Sequence, residues 1–226
     1  MRLAVLLLVL LGGCRLDGAE STPAGPASPA DPVAAGPACD CADGRDVADA
    51  PPVAAGDTAR VTPRTAATPD PDDIGGAVAV SPAGLAVPVA GIDPADLVDT
   101  YTAARSEGRT HHAIDILAPR GTPVVAARAG TVARLFESEK GGLTVYVVVR
   151  DGPPATVHYY AHLDAYAPGL ADGDRVARGQ RIGTVGDSGN AAPGNTHLHF
   201  AIWRAPSADA FWDGEPVNPY GRLAPR

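Results

Sequence analysis

Cysteine is almost missing from this chain. Its three occurrences, Cys14, Cys39 and Cys41, all precede residue 42 of 226. Whatever folds after them has no disulfide and no thiolate of its own, so a metal there must be held by other groups. Lysine is rarer still: Lys140 is the only one, and the other 17 of the 18 basic residues are arginine. We read that, with the excess of Ala and Pro, as compositional bias. No clustered Lys/Arg face is present, which excludes the electrostatic footprint of a nucleic-acid binder. The first apolar run, Leu3 to Leu11, falls short of the roughly 20 residues needed to span a bilayer. A Gly-rich phosphate loop, a Ser-based nucleophile elbow and a βαβ alternation are all lacking, and the chemistries that need them go too.

What charge there is lies unevenly. The net charge is −8, yet residues 98 to 226 carry 13 acidic and 13 basic side chains. The acidic surplus belongs wholly to the first 97 residues. Together with 26 Gly and 23 Pro, this divides the chain into an unfolded part and a neutral folded one.

The first part opens on MRLAVLLLVLLGGC. A positive start, a short apolar run and small residues before Cys14 form the layout of a secretory signal. Leu11-Gly12-Gly13-Cys14 resembles the lipobox of bacterial lipoproteins, which implies acylation of Cys14 after removal of residues 1–13. Several acyl chains on one cysteine would anchor the protein firmly to a membrane. The location implied is the bacterial cell envelope, on the outer-membrane or periplasmic side in a Gram-negative cell. From residue 14 to residue 91 the sequence is rich in Ala, Pro, Gly, Asp and Thr. It has too little apolar surface to offset its chain entropy and reads as a disordered, moderately extended tether. Residues 80–97 grow more apolar and lead into the domain, with packing on it an open reading; we set the domain at 92–226.

Within it, Asp96 to Arg105 reads as a helical turn. Short β-rich runs follow near 113–117, 123–127, 130–136, 143–150, 155–162, 181–185 and 197–203. Gly141-Gly142 and Asp151-Gly152-Pro153-Pro154 separate some of them as turns. That spacing predicts an all-β fold, mainly antiparallel, arranged as a sheet or barrel-like sandwich.

All six histidines lie here: His111, His112, His158, His162, His197 and His199. In Thr196-His197-Leu198-His199-Phe200 the strand period of two puts both imidazoles on one face and Leu198 and Phe200 on the other. In His111-His112-Ala113-Ile114-Asp115 an imidazole and a carboxylate stand four apart at the head of an apolar strand. Two histidines and a carboxylate, with one position left open, are a ligand set for catalytic zinc.

Residues 111–200 resemble peptidase family M23, the lysostaphin/LytM type. The likeness runs through four motifs in order: HHAIDILAPRGTPVVAARAGTV; Tyr160-Ala161-His162-Leu163; the run Gly173-Asp174 to Gly183 followed by Val185-Gly186 and Ser188-Gly189-Asn190; and His197-Leu198-His199-Phe200. One departure is Ala113, where the family has glycine. The resemblance implies a β-sandwich of the duplicated hybrid motif type, with a motif core over 111–203. It implies one Zn2+ held by His111, Asp115 and His199, with His162 and His197 as catalytic imidazoles beside the open position. The implied activity is zinc-dependent cleavage of peptide bonds in peptidoglycan, by a monomer that binds no nucleic acid. A catalytically silent peptidoglycan-binding or hydrolase-activating lipoprotein is the alternative.

His112 should point away from the ligands if its strand is regular. Strand parity places His158 and Tyr160 on the face of His162, as groove-lining or supporting groups. Asn195 sits in the loop entering the last strand, where it could meet substrate. Arg105 and Arg109, just before the first motif, read by default as solvated surface residues, with a place at the border of the cleft as the alternative, and Trp203 and Trp212 read as packing. Two rival folds fare poorly. Biotinyl or lipoyl carriers share the Gly173–Gly183 pattern but need a lysine at a hairpin tip, and Lys140 lacks that setting. A histidine phosphocarrier would need cytoplasmic phosphoryl donors, which export denies.

Overall fold

The computed structural model of the chain describes residues 77–105, 108–149 and 153–224. The signal segment, Cys14, the Cys39-Asp40-Cys41 pair and most of the tether lie outside the described residues.

The described part is almost wholly antiparallel sheet. Its strands are β1 (Ile114–Leu117), β2 (Pro123–Val125), β3 (Gly130–Ser138), β4 (Gly142–Val149), β5 (Ala155–Tyr166), β6 (Arg175–Val176), β7 (Arg181–Val185), β8 (His197–Ala205) and β9 (Glu215–Val217), followed by one short helix, α1 (Tyr220–Leu223). The main path runs β1-β8-β5-β4-β3-β6. In addition β7 pairs with both β2 and β5, and β9 with β8. The seven expected strands are present, and β6 and β9 join them. Those two span two and three residues, too short for an alternation to register in sequence.

Alternation along the central strands separates two apolar clusters. Ile114 and Ile116 of β1, Tyr160 of β5, and Leu198, Phe200 and Ile202 of β8 enter the larger one. The smaller one holds Val157, Tyr159 and Ala161 from β5 with Ala201, Trp203 and Ala205 from β8. The register pairs His199 with both Asp115 of β1 and Ala161 of β5. β8 is therefore the strand on which the site is assembled, and β1 with the turn before it and β5 carry the remaining parts.

Two features depart from the sequence reading. A 3-10 turn covers Pro94–Asp96, with Asp93 accepting from Ala95 N–H, and Leu97 is already extended at φ −68°, ψ 140°. The helical turn sought over 96–105 is thus displaced to the residues before it, because Pro94 and the Asp93 cap favour initiation there. Second, Leu85, Val87 and Val89, which fall before the boundary set at residue 92 but within the more apolar 80–97 segment read as packing on the domain, are buried in the larger cluster. Ala86 N–H donates to Ala127 O, Val125 N–H to Pro88 O and Ala90 N–H to Pro123 O. A few alternating apolar residues suffice where an edge of the sheet offers matching backbone partners.

Candidate metal centre

Three groups from two adjacent strands and the turn before them meet at one point. His111 Nε2 lies 3.0 Å from His199 Nδ1 and 3.0 Å from Asp115 Oδ1. His199 Nδ1 lies 3.1 Å from the same Asp115 oxygen. The antiparallel pairing of Asp115 with His199 fixes two of these on one face. His111 is brought in by the turn before β1, where its N–H donates to Ala103 O and that of His112 to Tyr101 O.

Proton bookkeeping shows that hydrogen bonding alone does not explain the triangle. His111 Nδ1 stands 2.9 Å from Thr100 O, and a carbonyl oxygen only accepts, so Nδ1 carries the hydrogen. In the neutral ring Nε2 is then a lone pair, and it faces a carboxylate oxygen. A single hydrogen on His199 Nδ1 would leave two lone pairs opposed. His199 Nε2 is buried without a hydrogen-bond partner, so no second contact dictates where that ring keeps its hydrogen. Three converging lone pairs suit a cation. Zinc bonds of about 2.0–2.1 Å at tetrahedral angles would separate ligand atoms by roughly 3.3 Å, close to the spacing observed. The donor set, two imidazoles and a carboxylate, fits a divalent ion of zinc's kind.

Electrostatics agree with ligands ready for use. Burial alone would push the Asp115 carboxyl up, but the imidazoles of His111 and His199 beside it outweigh burial and hold it well below the usual carboxylate range. Burial pushes His199 down to about 4. His162 is pushed down to about 3, chiefly by burial and then by its imidazole neighbours His199 and His197. Both rings are therefore neutral near pH 7, the form a metal ligand or general base requires.

His162 and His197 border the triangle. Their ring centroids are 4.9 Å apart, and that of His162 is 5.9 Å from His199. His197 Nε2 is 3.9 Å from Asp115 Oδ1. Each ring is fixed through Nδ1: His162 donates to Ser188 O at 2.7 Å and His197 to Asn195 O at 2.8 Å. Each Nε2 is thereby a lone pair. Asn195 thus meets the site through its backbone carbonyl.

His162 occupies its place by an irregularity. Its φ is +60°, and the β4–β5 register steps from Leu143↔Leu163 to Val145↔Tyr160. That is one extra residue on β5, a bulge. Ala161 and His162 consequently lean to the same side, and parity upstream is reversed relative to His162. His158 and Tyr160 are accordingly not on its face, contrary to the strand-period reading. Tyr160 packs on Phe200 at 5.1 Å, and its hydroxyl accepts from Ala127 N–H. His158 lies against Phe200 at 5.7 Å, beside a cavity lined by Arg128, Arg204 and Arg222. Both belong to the far side of the sheet.

Two interlocked turns hold the bulge. His162 N–H donates to Gly141 O, and Asn190 N–H to Lys140 O. Ser188 Oγ accepts from Leu143 N–H and donates to Leu163 O. A Cβ on Gly142 would strike Ser188 and the Gly189 backbone, and one on Gly189 would strike the backbone of Lys140 and Gly142. Both glycines have positive φ, +63° and +75°, so both space and backbone demand them.

His112, at φ +52°, turns its ring to Tyr101 at 5.5 Å, away from the triangle. Trp203 packs within the smaller cluster, its Nε1–H donating to Phe211 O. Two supporting residues escaped the sequence reading. Thr100 accepts from His111 Nδ1–H with its carbonyl and from Asp115 N–H with its hydroxyl. Arg105, expected on the surface, is buried, with Nη2 2.7 Å from Asp115 Oδ2.

Fold and site together define an antiparallel β domain with a candidate metal centre of two histidines and an aspartate. The model of peptidase family M23 matches residues 109–219, and this domain belongs to that family. The chain is similar to the L-Ala–D-Glu endopeptidase of Bacillus subtilis (strain 168), with 37% identity over 112 residues, 46% of this chain and 33% of that protein. It is similar to the DD-carboxypeptidase/endopeptidase Mpg of Neisseria meningitidis serogroup B, with 36% identity over 117 residues, 52% of this chain and 24% of that protein. Among solved structures, the catalytic domain of lysostaphin from Staphylococcus simulans is 28% identical, covering 52% of this chain and 81% of that one at a TM-score of 0.43. The chain thus spans a third or less of the two curated relatives.

Proposed function

We propose that this protein is a zinc-dependent endopeptidase that cleaves peptide bonds of peptidoglycan. The observation that carries the reading is the triangle of His111, Asp115 and His199 ligand atoms, 3.0–3.1 Å apart, with two further neutral-capable imidazoles beside it. A divalent ion bound there would polarise the scissile carbonyl and acidify the attacking water. The side chains supply the rest. His162 and His197 present Nε2 lone pairs because their Nδ1 hydrogens are engaged by carbonyls. One can take a proton from the attacking water and return it to the departing amine. The other, once protonated, is a donor for negative charge developing on the carbonyl oxygen.

The names of the relatives specify L-Ala–D-Glu and DD bonds, and bonds to D-residues support peptidoglycan peptides as the substrate class. These bonds differ, so the bond cut here is a matter for digestion. The signal and Cys14 motif support a lipid-anchored protein of the cell envelope. Retention of all three ligand residues and both catalytic histidines disfavours a silent binding module.

The test is digestion of purified peptidoglycan by the full chain loaded with zinc, followed by mass spectrometry of the released muropeptides. New amino groups that vanish in His199→Ala are expected. Their absence from the zinc-loaded wild-type protein would overturn the reading.

A further inference from the structure

Asp115 has two oxygens, and only one joins the triangle. The other, Oδ2, is held by Arg105 Nη2 at 2.7 Å. The Arg105 side chain is 2% exposed and that of Asp115 18%, so this is an internal ion pair. Stability alone does not account for it. A buried pair is weak evidence for stability because desolvation can exceed the attraction. This one also leaves Arg105 Nε buried without a partner, at a further cost in folding. What the contact does accomplish is geometric. It occupies Oδ2, aims Oδ1 at the two imidazole nitrogens, and prevents the carboxylate from turning both oxygens inward.

The placement of Arg105 fits that task. Its N–H donates to Arg109 O, and Ala103 N–H to Thr100 O; Ala104 bridges Thr110. The same short segment contains Thr100, whose carbonyl and hydroxyl brace His111 and Asp115. Thr100 is itself anchored from below: Asp99 accepts from Tyr101 N–H and from Asn218 Nδ2. Residues 99–105 thus touch two of the three ligands at four points, the His111 N–H bond to Ala103 O included. Outer partners of this kind orient ligands and govern metal affinity.

We infer that Arg105 is a positioning residue that makes Asp115 a one-oxygen ligand of the metal. The inference rests on the metal-site reading above. A competing effect has the opposite sign: a guanidinium cation near a dication repels it, so removing Arg105 could tighten binding. The two are separable by measurement.

Zinc affinity is measured by chelator competition for wild type, Arg105→Gln and Arg105→Lys, using the full chain. Positioning predicts that Arg105→Gln weakens zinc by about 10–100-fold, with Arg105→Lys recovering part of the loss. Substituting Co2+ provides a second readout. If Asp115 is released to use both oxygens, the visible bands should weaken in Arg105→Gln as the ion passes from four to five ligands. Equal or tighter zinc binding in Arg105→Gln with an unchanged Co2+ spectrum would overturn the inference. If Arg105→Gln does not fold, Arg105→Met, which has no donor for Asp115 Oδ2, decides: wild-type affinity and spectrum there would overturn it equally. Failure of the wild-type protein to bind zinc would instead strike the metal-site reading itself.

Discussion

Strand β8 presents two unlike faces, and the sequence HLHFAIWRA alternates between them. Leu198, Phe200 and Ile202 enter the larger core. His197 and His199 point to the other side, and further along that side Ala201, Trp203 and Ala205 form the smaller cluster. Both faces are buried. On one, packing is set by volume and contact, and a neighbour of similar shape would serve. On the other, His197 is oriented by Asn195 O and His199 by its place beside His111 and Asp115, with Ala113, Ala161 and Ala201 in the smaller cluster. The lesson is that burial here has two purposes. It supplies cohesion on the first face. On the second it keeps His199 and His162 neutral by excluding water.

The sharpest way to separate the faces is to compare adjacent residues. His199→Ala should abolish zinc retention and lower peptide release by roughly 10³-fold or more, while the apo domain still unfolds cooperatively. Phe200→Ala should do the reverse. It should cost about 3–5 kcal/mol of stability, measured by urea denaturation, with the remaining folded protein still binding zinc. Were Phe200→Ala to lose zinc while fully folded, the division between the faces would be wrong. Tyr160→Phe probes the apolar side more gently. Removing the hydroxyl leaves Ala127 N–H unsatisfied, so a loss of about 1–3 kcal/mol is expected, with turnover at saturating substrate unchanged.

A separate effect concerns pH in the metal-free protein. His162 and His199 are held below their ordinary value, to about 3 and about 4. The unfolded chain takes up these protons near pH 6.5, whereas the folded one does not. Stability from them is thus complete above about pH 6.5 and declines as pH falls toward 4 and then 3. Thermal unfolding in chelator should show a falling midpoint across that interval. A constant midpoint would mean that the imidazoles are not shielded.

Much of this was readable in advance, for physical reasons. Period-two alternation placed His197 and His199 on one face of β8 with Leu198 and Phe200 on the other, while Asp115 entered through its spacing from His111 and the family resemblance. The parity of His162 was not readable, because a single left-handed residue inserts a bulge that no local pattern announces. The error passed directly to His158 and Tyr160, which count from the same strand. Arg105 was misplaced because arginine is exposed by default, and its burial depends on a partner ten positions on. The apolar content of residues 80–97 suggested packing on the domain, but composition carries no information about the sheet edge that receives residues 85–89.

The interlock of Gly142 with Gly189 has a consequence for how the sequence can change. Neither turn can accept a side chain while the other keeps its path, so drift at one position is constrained by the other. Their combined substitution by alanine should be strongly non-additive, since the first clash already opens the gap into which the second would fall. Among homologous domains these two positions should vary together or hardly at all, and a lineage that relaxes them must find another support for the His162 bulge.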